Sequence, residues 1–598
     1  MLLVGFLSVC SLGLPLQAQL KSGPMVGHTT HNTAQIWALA SAGETVEIAY
    51  RPAGGDSSQA TTLAMPPDSD KNFRSLIELT GLEASTAYEY EVNVNGSKAD
   101  EGGFTTAALP HRPGTFRYMV ASCMDLSVYS ASEQSAWDAV LEQEPDFNLL
   151  VGDNVYANST GYDRLWAFHR SQRKVPNFAE VIRTAPTYAV WDDHDFGPNN
   201  SHGGTPGKQN SLRAFKDVWA NPSYGTEEIP GIFTSFYRGN VHFIFLDGRY
   251  HRTDEKAPNS DSKTQFGEPQ RQWLYQTLRE SKSTFKVLVS GFDFMSRPYS
   301  NEVRIMAEEI GRDGIYGIVF HSGDIHRNEF KQQDHGMGYP MTQFVSSGIA
   351  KNINRPWAMV DVNTTLEDPT FTTRFYHNRT LVESKTIRLS ELIPAGLSDL
   401  ILNSPLGGER IEQGSTHTIA WTKIGTGIAQ VNLEYSTGAA WKPIAASVAN
   451  TGSYAWTVPD EISNSVKVRI TSADGEKADE SRGVFTIGRR ASEGTAVEEE
   501  TATAAPGSFN LEQNYPNPFN SNTVIRFSLA RDLPVRLRIY NLAGQQVASL
   551  VDEDRAAGPY EARWDGRSDT GKVLPSGTYL YELQAGDLSS TRKLVLLR

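Results

Sequence analysis

Between residues 26 and 106 apolar and polar positions alternate in short runs (AQIWALA, TVEIAYRP, SLIELTGL, AYEYEVNVNG, GGFTTA) separated by turn residues. Alternation with a period of two puts every second side chain on one face, so this stretch predicts a β-sandwich over residues 20–110. Trp37 reads as its core tryptophan, and LEASTAY, ending at Tyr88, has the spacing of a tyrosine corner. Over 111–393 the rhythm changes. Strand-length runs that are apolar throughout (FRYMVA, FNLLV, TYAVW, HFIFL, FKVLV, GIVFH) alternate with amphipathic helix-length segments such as SEQSAWDAVLEQE, NSLRAFKDVWA and EPQRQWLYQTLRES. Strands buried on both faces and interleaved with helices predict a layered α/β domain. Alternation returns over 394–487 (HTIAWTKIG, QVNLEYSTG, GSYAWTVP, VKVRITSADG), which predicts a second sandwich. Residues 488–508 are poor in apolar side chains and read as a disordered linker, and 509–598 read as a further β domain.

The length of 598 residues suits about four domains. A formal net charge of −14 excludes recognition of nucleic acid or an anionic membrane surface by bulk charge, so an anionic substrate needs local positive charge. Residues 1–19, MLLVGFLSVCSLGLPLQAQ, form an apolar run of signal-peptide length without a basic start, and export is expected. No other run is long enough to span a bilayer. Removal of this segment would take Cys10 with it and leave Cys123, so no internal disulfide is expected. A monomer is expected.

The residues just after each buried run carry the chemistry: Ser122-Cys123, Gly152-Asp153-Asn154, Asp192-Asp193-His194-Asp195, Asp247-Gly248-Arg249, Ser290-Gly291 and Gly323-Asp324-Ile325-His326. Ligands of α/β folds collect at the carboxyl ends of strands, so these segments are expected to share one rim. The acidic row in WDDHDF, set between Trp191 and Phe196, calls for a cation, because adjacent buried carboxylates repel. Carboxylates and the Tyr156 phenol suit Ca²⁺ or trivalent iron, whereas thiolate and imidazole favour transition metals. A mixed pair of metals fits this set better than one zinc. Arg170, Arg173 and Lys174 form a basic cluster that reads as a solvated helix face.

The motifs ASCMD, VGDNVYA, WDDHDFGPNN, FIFLDGRYHR, FGEPQRQWL and SGDIHRNE, in this order from 115 to about 350, resemble the PhoD family of alkaline phosphatases within the metallophosphoesterases. The resemblance implies a four-layer αββα sandwich. It implies that Cys123, Asp153 and Tyr156 hold Fe³⁺, and that Asp153 bridges to a Ca²⁺ site served by Asp193, Asp324 and His326. Relative to the wider superfamily, Ser122-Cys123 replaces a first Asp-x-His, Asp193 replaces an amide ligand, and Asp324 replaces a histidine. Phe292 stands where a histidine is common, so Asn199, Asn200 or water would complete the second site. Asp195, Asn154 and Arg252 are further outer or substrate contacts, with Asn328 and Glu329 as outer candidates.

The expected reaction is attack on phosphorus by a hydroxide bridging the two metals, with Asp153, His194 and Arg249 as catalytic residues. His194 would contact a phosphoryl oxygen or protonate the leaving group. Arg249 and Arg252 would pair with phosphate, or Arg249 would neutralise Asp247 or Asp195. The flanking segments 20–110 and 394–487 resemble fibronectin-like or immunoglobulin-like sandwiches. Residues 509–598, with NYPNPFNSNTVIRFSL, VRLRIYNLAGQQV, SGTYLYELQAG and TRKLVLLR, resemble the C-terminal sorting domain of type IX secretion cargo. Together these imply a secreted or surface-attached alkaline phosphatase and phosphodiesterase that liberates phosphate. The alternatives are a phospholipase D-like or a teichoic-acid or nucleic-acid diesterase, and a non-catalytic surface-binding protein around a degenerate core.

Overall fold

The structure is a computed structural model that describes residues 20–489, apart from 57–59, 66–67, 70–73 and 439, and residues 510–596, apart from 512–513, 515–522, 530, 542–544, 576 and 587. The expected signal segment, nearly all of the linker, and NYPNPFNSNT except Asn514 and Thr523 lie outside the described residues. The chain separates into two compact units between Ala491 and Ser492.

The first unit opens with seven antiparallel strands: β1 (Ser22–Thr29), β2 (Thr33–Leu39), β3 (Val46–Pro52), β4 (Thr61–Met65), β5 (Arg74–Thr80), β6 (Ala87–Val94) and β7 (Ser97–Thr105). They form two sheets, ordered β1-β2-β5 and β4-β3-β6-β7, around Val26, Ile36, Ile48, Leu79 and Val92. The Tyr88 hydroxyl accepts the Glu83 N–H at 2.9 Å, which makes the tyrosine corner.

Trp37 departs from the expectation. Ile36 and Ala38 fill the sandwich, so the pleat turns Trp37 and Leu39 outward, where they join the core of the following domain. The Trp37 indole N–H donates to the Asp217 carbonyl at 2.9 Å. The Arg173 guanidinium lies 4.1 Å from the Trp37 ring and 5.1 Å from that of Trp219, so Arg173 is buried rather than solvated.

The central domain contains twelve strands: β8 (Thr115–Ala121), β9 (Phe147–Val151), β10 (Thr187–Val190), β11 (Thr234–Arg238), β12 (Val241–Phe245), β13 (Phe285–Val289), β14 (Ile318–Ser322), β15 (Glu329–Gln333), β16 (Met341–Val345), β17 (Pro356–Asn363), β18 (Thr370–His377) and β19 (Thr380–Arg388). One sheet runs β10-β9-β8-β17-β18-β19 and the other β11-β12-β13-β14-β16-β15. Within them β8, β9 and β10 are parallel, as are β12, β13, β14 and β16.

Parallel neighbours require crossovers, supplied by α1 (Ala136–Leu141), α2 (Tyr162–Gln172) and α3 (Pro176–Thr184) in the first sheet. A single turn, α4 (Asp193–Phe196), and α5 (Lys208–Val218) lead into the second sheet, where α6 (Glu268–Glu280) and α7 (Ser300–Arg312) make the crossovers. The sheets meet face to face through aromatic side chains: Tyr118 and Phe147 of the first sheet each lie 5.3 Å from Phe243 of the second, and Tyr188 stacks on Phe236 at 4.2 Å. This stacking points the carboxyl ends of both parallel sets to the same rim.

Residues 399–488 form a two-sheet β-sandwich around Leu400, Ile419, Val431, Leu433 and Trp456. The second unit is likewise two antiparallel sheets, closed over Ile525, Phe527, Leu537, Ile539 and Tyr581.

Candidate metal and catalytic site

The rim is narrow because glycines let the two sheets touch at backbone level. A Cβ on Gly291, after β13, would lie 2.3 Å from the Trp191 carbonyl after β10, and one on Gly323, after β14, would lie 2.3 Å from the Val151 carbonyl at the end of β9. Among the candidate ligands on the rim, Cys123 (φ 62°), Asp153 (48°), Asp324 (72°) and His326 (56°) adopt left-handed backbone angles. Each costs about 1–3 kcal/mol, and the surrounding fold holds them there.

Two groups of donor atoms result, and Asp153 belongs to both. Cys123, Asp153 and His326 converge within 4.8 Å of one another, and so do Asp153, Asp193 and His194. The Cys123 thiol lies 3.6 Å from Asp153 Oδ2 and 3.2 Å from Ser347 Oγ. The Tyr156 hydroxyl sits 3.1 Å from His326 Nε2. The His194 backbone N–H points at Asp153 Oδ1 at 3.3 Å, and Asp193 Oδ2 accepts the Asn200 N–H at 2.6 Å. The family resemblance groups His326 with Asp193 and Asp324; in the structure its imidazole falls with Cys123 and Asp153, and Asp324 lies outside both converging sets. Burial, and then the charge of Asp192, push the Asp324 carboxyl up to about 7.

The remaining expected residues divide by role. Arg249 is fully buried: its Nε bonds Asp192 Oδ1 at 2.6 Å, its Nη1 donates to the Ser201 carbonyl at 3.2 Å, and its Nη2 lies 3.6 Å from Asp193 Oδ1. It therefore neutralises the acidic row itself, not Asp247 or Asp195, and has no exposed surface to offer a substrate. Asp247 is satisfied separately by the Trp191 indole at 2.9 Å and the backbone N–H groups of Ile232, Arg249 and Tyr250.

Asp195 accepts the N–H groups of Asp192, Asn154 and Val155 at 3.1 Å, tying the β9 end to α4. Burial pushes its carboxyl up to about 8 against these hydrogen bonds. The Asn154 amide donates to the Val190 carbonyl at 2.8 Å and so joins two strand ends. Asn199 and Asn200 line a cleft of about 840 Å³ beside the site with His202, Asp254 and Lys256. The buried Arg252 guanidinium lies 3.9 Å from the Phe292 ring and 4.5 Å from that of Tyr299. Asn328 donates to the Trp357 and Tyr376 carbonyls, and Glu329 pairs with Arg327 at 2.8 Å.

Three residues of the site lack a signal among the motifs singled out in the sequence. Asn158 Oδ1 is 2.6 Å from His194 Nδ1, its amide nitrogen donates to the Tyr156 carbonyl at 3.2 Å, and the His194 ring stacks on Tyr156 at 4.1 Å. The second bond fixes which end of the amide faces His194, so Nδ1 carries the proton and Nε2 is left free. Ser347 and Lys351 follow β16, another buried strand ending in small residues, SSGIAK. The strand-end rule applied to MTQFV would have found them.

The donor set fits cations. Asp192 Oδ2 and Asp193 Oδ1 are buried without a hydrogen-bond partner. Burial, and then the charges of Asp193, Asp192 and Asp195, hold the Asp153 carboxyl well above its usual range; burial and Asp153 do the same to the Cys123 thiol. Burial also works to raise Asp193, but Arg249, His194 and the Asn200 N–H outweigh it and bring that carboxyl below its usual value. Left alone, such a cluster retains protons, whereas bound cations would stabilise its ionised form.

Residues 118–358 match the family described as PhoD-like phosphatase, 17–101 a domain of unknown function (DUF7800), and 519–589 the FlgD Ig-like domain. Alkaline phosphatase D of Bacillus subtilis is 23% identical over 305 residues, covering 40% of this chain and 51% of that protein. Purple acid phosphatase 23 of Arabidopsis thaliana is 24% identical over 187 residues, covering 28% of this chain and 39% of the relative. The chain thus spans about half or less of these curated relatives. A solved structure of PhoD superposes with a TM-score of 0.54 at 14% identity, over 64% of this chain and 94% of that one, and shares the fold. The central segment of the chain, residues 118–358, is a PhoD-like phosphatase domain.

Proposed function

We propose that the protein is an exported, metal-dependent phosphoric ester hydrolase that releases phosphate from monoesters and diesters. The observation that carries this reading is Asp153: one carboxylate shared by two donor groups at the strand ends of a PhoD-like phosphatase domain. Cys123, Asp153 and Tyr156, with His326 beside them, would hold Fe³⁺; Asp153 and Asp193, with Asp324 at the edge, would hold Ca²⁺. When bound, the cations supply activation of water and Lewis-acid stabilisation of the phosphoryl oxygens.

The chain's own groups do the rest. The His194 N–H orients Asp153. Arg249 pairs with Asp192 and Asp193 and offsets the burial that favours their neutral forms. Burial holds the His194 imidazole below its ordinary pKa, so its ground state is neutral. With Nδ1–H directed at Asn158, Nε2 can take the proton given up by the attacking water and pass it to the leaving oxygen, returning to the neutral imidazole. Export rests on the apolar run at residues 1–19, and type IX sorting on the motifs of 509–598.

The test is hydrolysis of a chromogenic phosphate monoester and its matching diester at alkaline pH by metal-loaded protein, with and without chelator. Turnover that chelator abolishes and added metal restores is expected. Stoichiometric bound metal with no turnover of either ester would sink the proposal.

A further inference from the structure

We propose that Lys351 reads the charge of the substrate, so that the site favours phosphate monoester dianions over diester monoanions; this rests on the phosphoester-hydrolase reading above. Lys351 stands on the segment joining β16 to β17, and this segment is docked on the site. The Asn352 amide donates to the His326 carbonyl at 2.9 Å, and the Asp125 N–H donates to the Ala350 carbonyl at 3.1 Å. The Lys351 ammonium lies 2.6 Å from Asp125 Oδ2 and 4.2 Å from the centre of the Tyr156 ring. Its charge acts on both imidazoles of the site, His194 and His326.

Position sets Lys351 apart from the other cations around the cluster. The Arg249 and Arg252 side chains are each 1% exposed, whereas that of Lys351 is 24% exposed. Arg249 is committed to Asp192 and Asp193, and Arg252 is packed between two rings. An ammonium has three N–H donors, and Asp125 takes one. Lys351 is therefore a partly exposed cation beside the donor groups that keeps donors for an arriving anion. Asp125 holds it over Tyr156, whose hydroxyl lies 3.1 Å from His326 Nε2 and whose ring stacks on His194.

Phosphate monoesters have a second pKa of about 6 and are dianions under alkaline conditions, while diesters carry one charge. A fixed ammonium within a few ångströms rewards the extra charge by about tenfold at a partly screened site.

The experiment compares wild type, Lys351→Met, Lys351→Arg and the double variant Lys351→Met/Asp125→Asn, all full-length and metal-loaded, on a matched monoester and diester. Lys351→Met is expected to lose about tenfold in kcat/KM on the monoester, mostly through KM, and less than about threefold on the diester. Lys351→Arg should keep both within about threefold, because the charge remains. The double variant leaves no orphaned carboxylate and should repeat the Lys351→Met pattern if that variant folds poorly. Equal losses on the two esters, or none, overturn the proposal. If metal-loaded wild type cleaves neither ester, the hydrolase reading falls. Titration with inorganic phosphate then decides the role of Lys351: about tenfold weaker binding by Lys351→Met supports it, and equal binding overturns it.

Discussion

The two sheets of the central domain bring unlike halves of the site to the same rim. The first, through the ends of β8, β9 and β10, supplies Cys123, Asp153, Tyr156, Asp192, Asp193, His194 and Asp195, acidic or neutral apart from the one imidazole. The second, through the ends of β12, β14 and β16, supplies Arg249, His326 and Lys351, with Asp324 as its acidic exception. Neither half is electrostatically tenable alone. Buried carboxylates on the first rim need the guanidinium of the second, and Arg249 would be an unpaired buried cation without Asp192. The glycines at 291 and 323 are what allow the halves to touch.

The largest expected effect comes from removing the one residue that both donor groups share. Asp153→Asn should lower metal content at both sites and cut kcat/KM by on the order of a hundredfold to a thousandfold. Loss of only one metal, read by elemental analysis, would show that the halves bind independently. Next, Arg249→Met strands Asp192 and Asp193, and the metal-free variant should lose about 3–5 kcal/mol in denaturant unfolding. Metal loading should recover part of this loss, since cations would then balance the same carboxylates; a variant as stable as wild type without metal would break the comparison.

Asn158→Ala tests a contact confined to the first rim. By releasing the tautomer of His194 it should lower kcat by about tenfold with little change in KM and with metal content intact. A change in KM alone would place Asn158 in substrate binding instead.

The smallest effect is on stability in mild acid. Burial lowers His169, His242 and His321 to about 3 in the fold, from an ordinary value of 6.5. At these three positions the unfolded chain binds more protons below pH 6.5, so they withdraw stability as pH drops from there toward 3, whereas the raised carboxyls of Asp195 and Asp324 favour the metal-free fold over the same range. The melting temperature of metal-loaded protein, with those carboxylates ionised, should therefore fall more steeply in acid than that of metal-free protein. His242 and His321 lie on β12 and β14, so hydrogen exchange in acid should rise first in the second sheet. Faster exchange in the first sheet would reverse that order.

Much of the site is legible because strand ends announce themselves. An apolar run followed by small or acidic residues specifies a buried strand and the residues beyond it, and Cys123, Asp153, Asp193, His194 and His326 all stand in such positions. Side-chain direction is harder. Trp37 reads as sandwich core, yet the pleat sends it to the neighbouring domain; Arg173 reads as solvated, yet two tryptophans cover it. The same difficulty hides Asn158 and the partner, though not the strand-end position, of Lys351: their roles depend on contacts with His194 and Asp125 across 36 and 226 residues of sequence.

Alternation and run length by themselves determined the order of β and α/β segments, since burial on one face or two leaves a local period that needs no partner to be read. Residue type and position determined which side chains could hold metal or move protons. Tertiary structure alone decided that Asp153 serves two groups, that His326 sits with Cys123, that Arg249 is spent on Asp192 and Asp193, and that Lys351 lies over Tyr156. Each of these is a distance between strands of different registers or different sheets. Such distances are set by the aromatic packing between the sheets and by the close approach at Gly291 and Gly323, which no local pattern records.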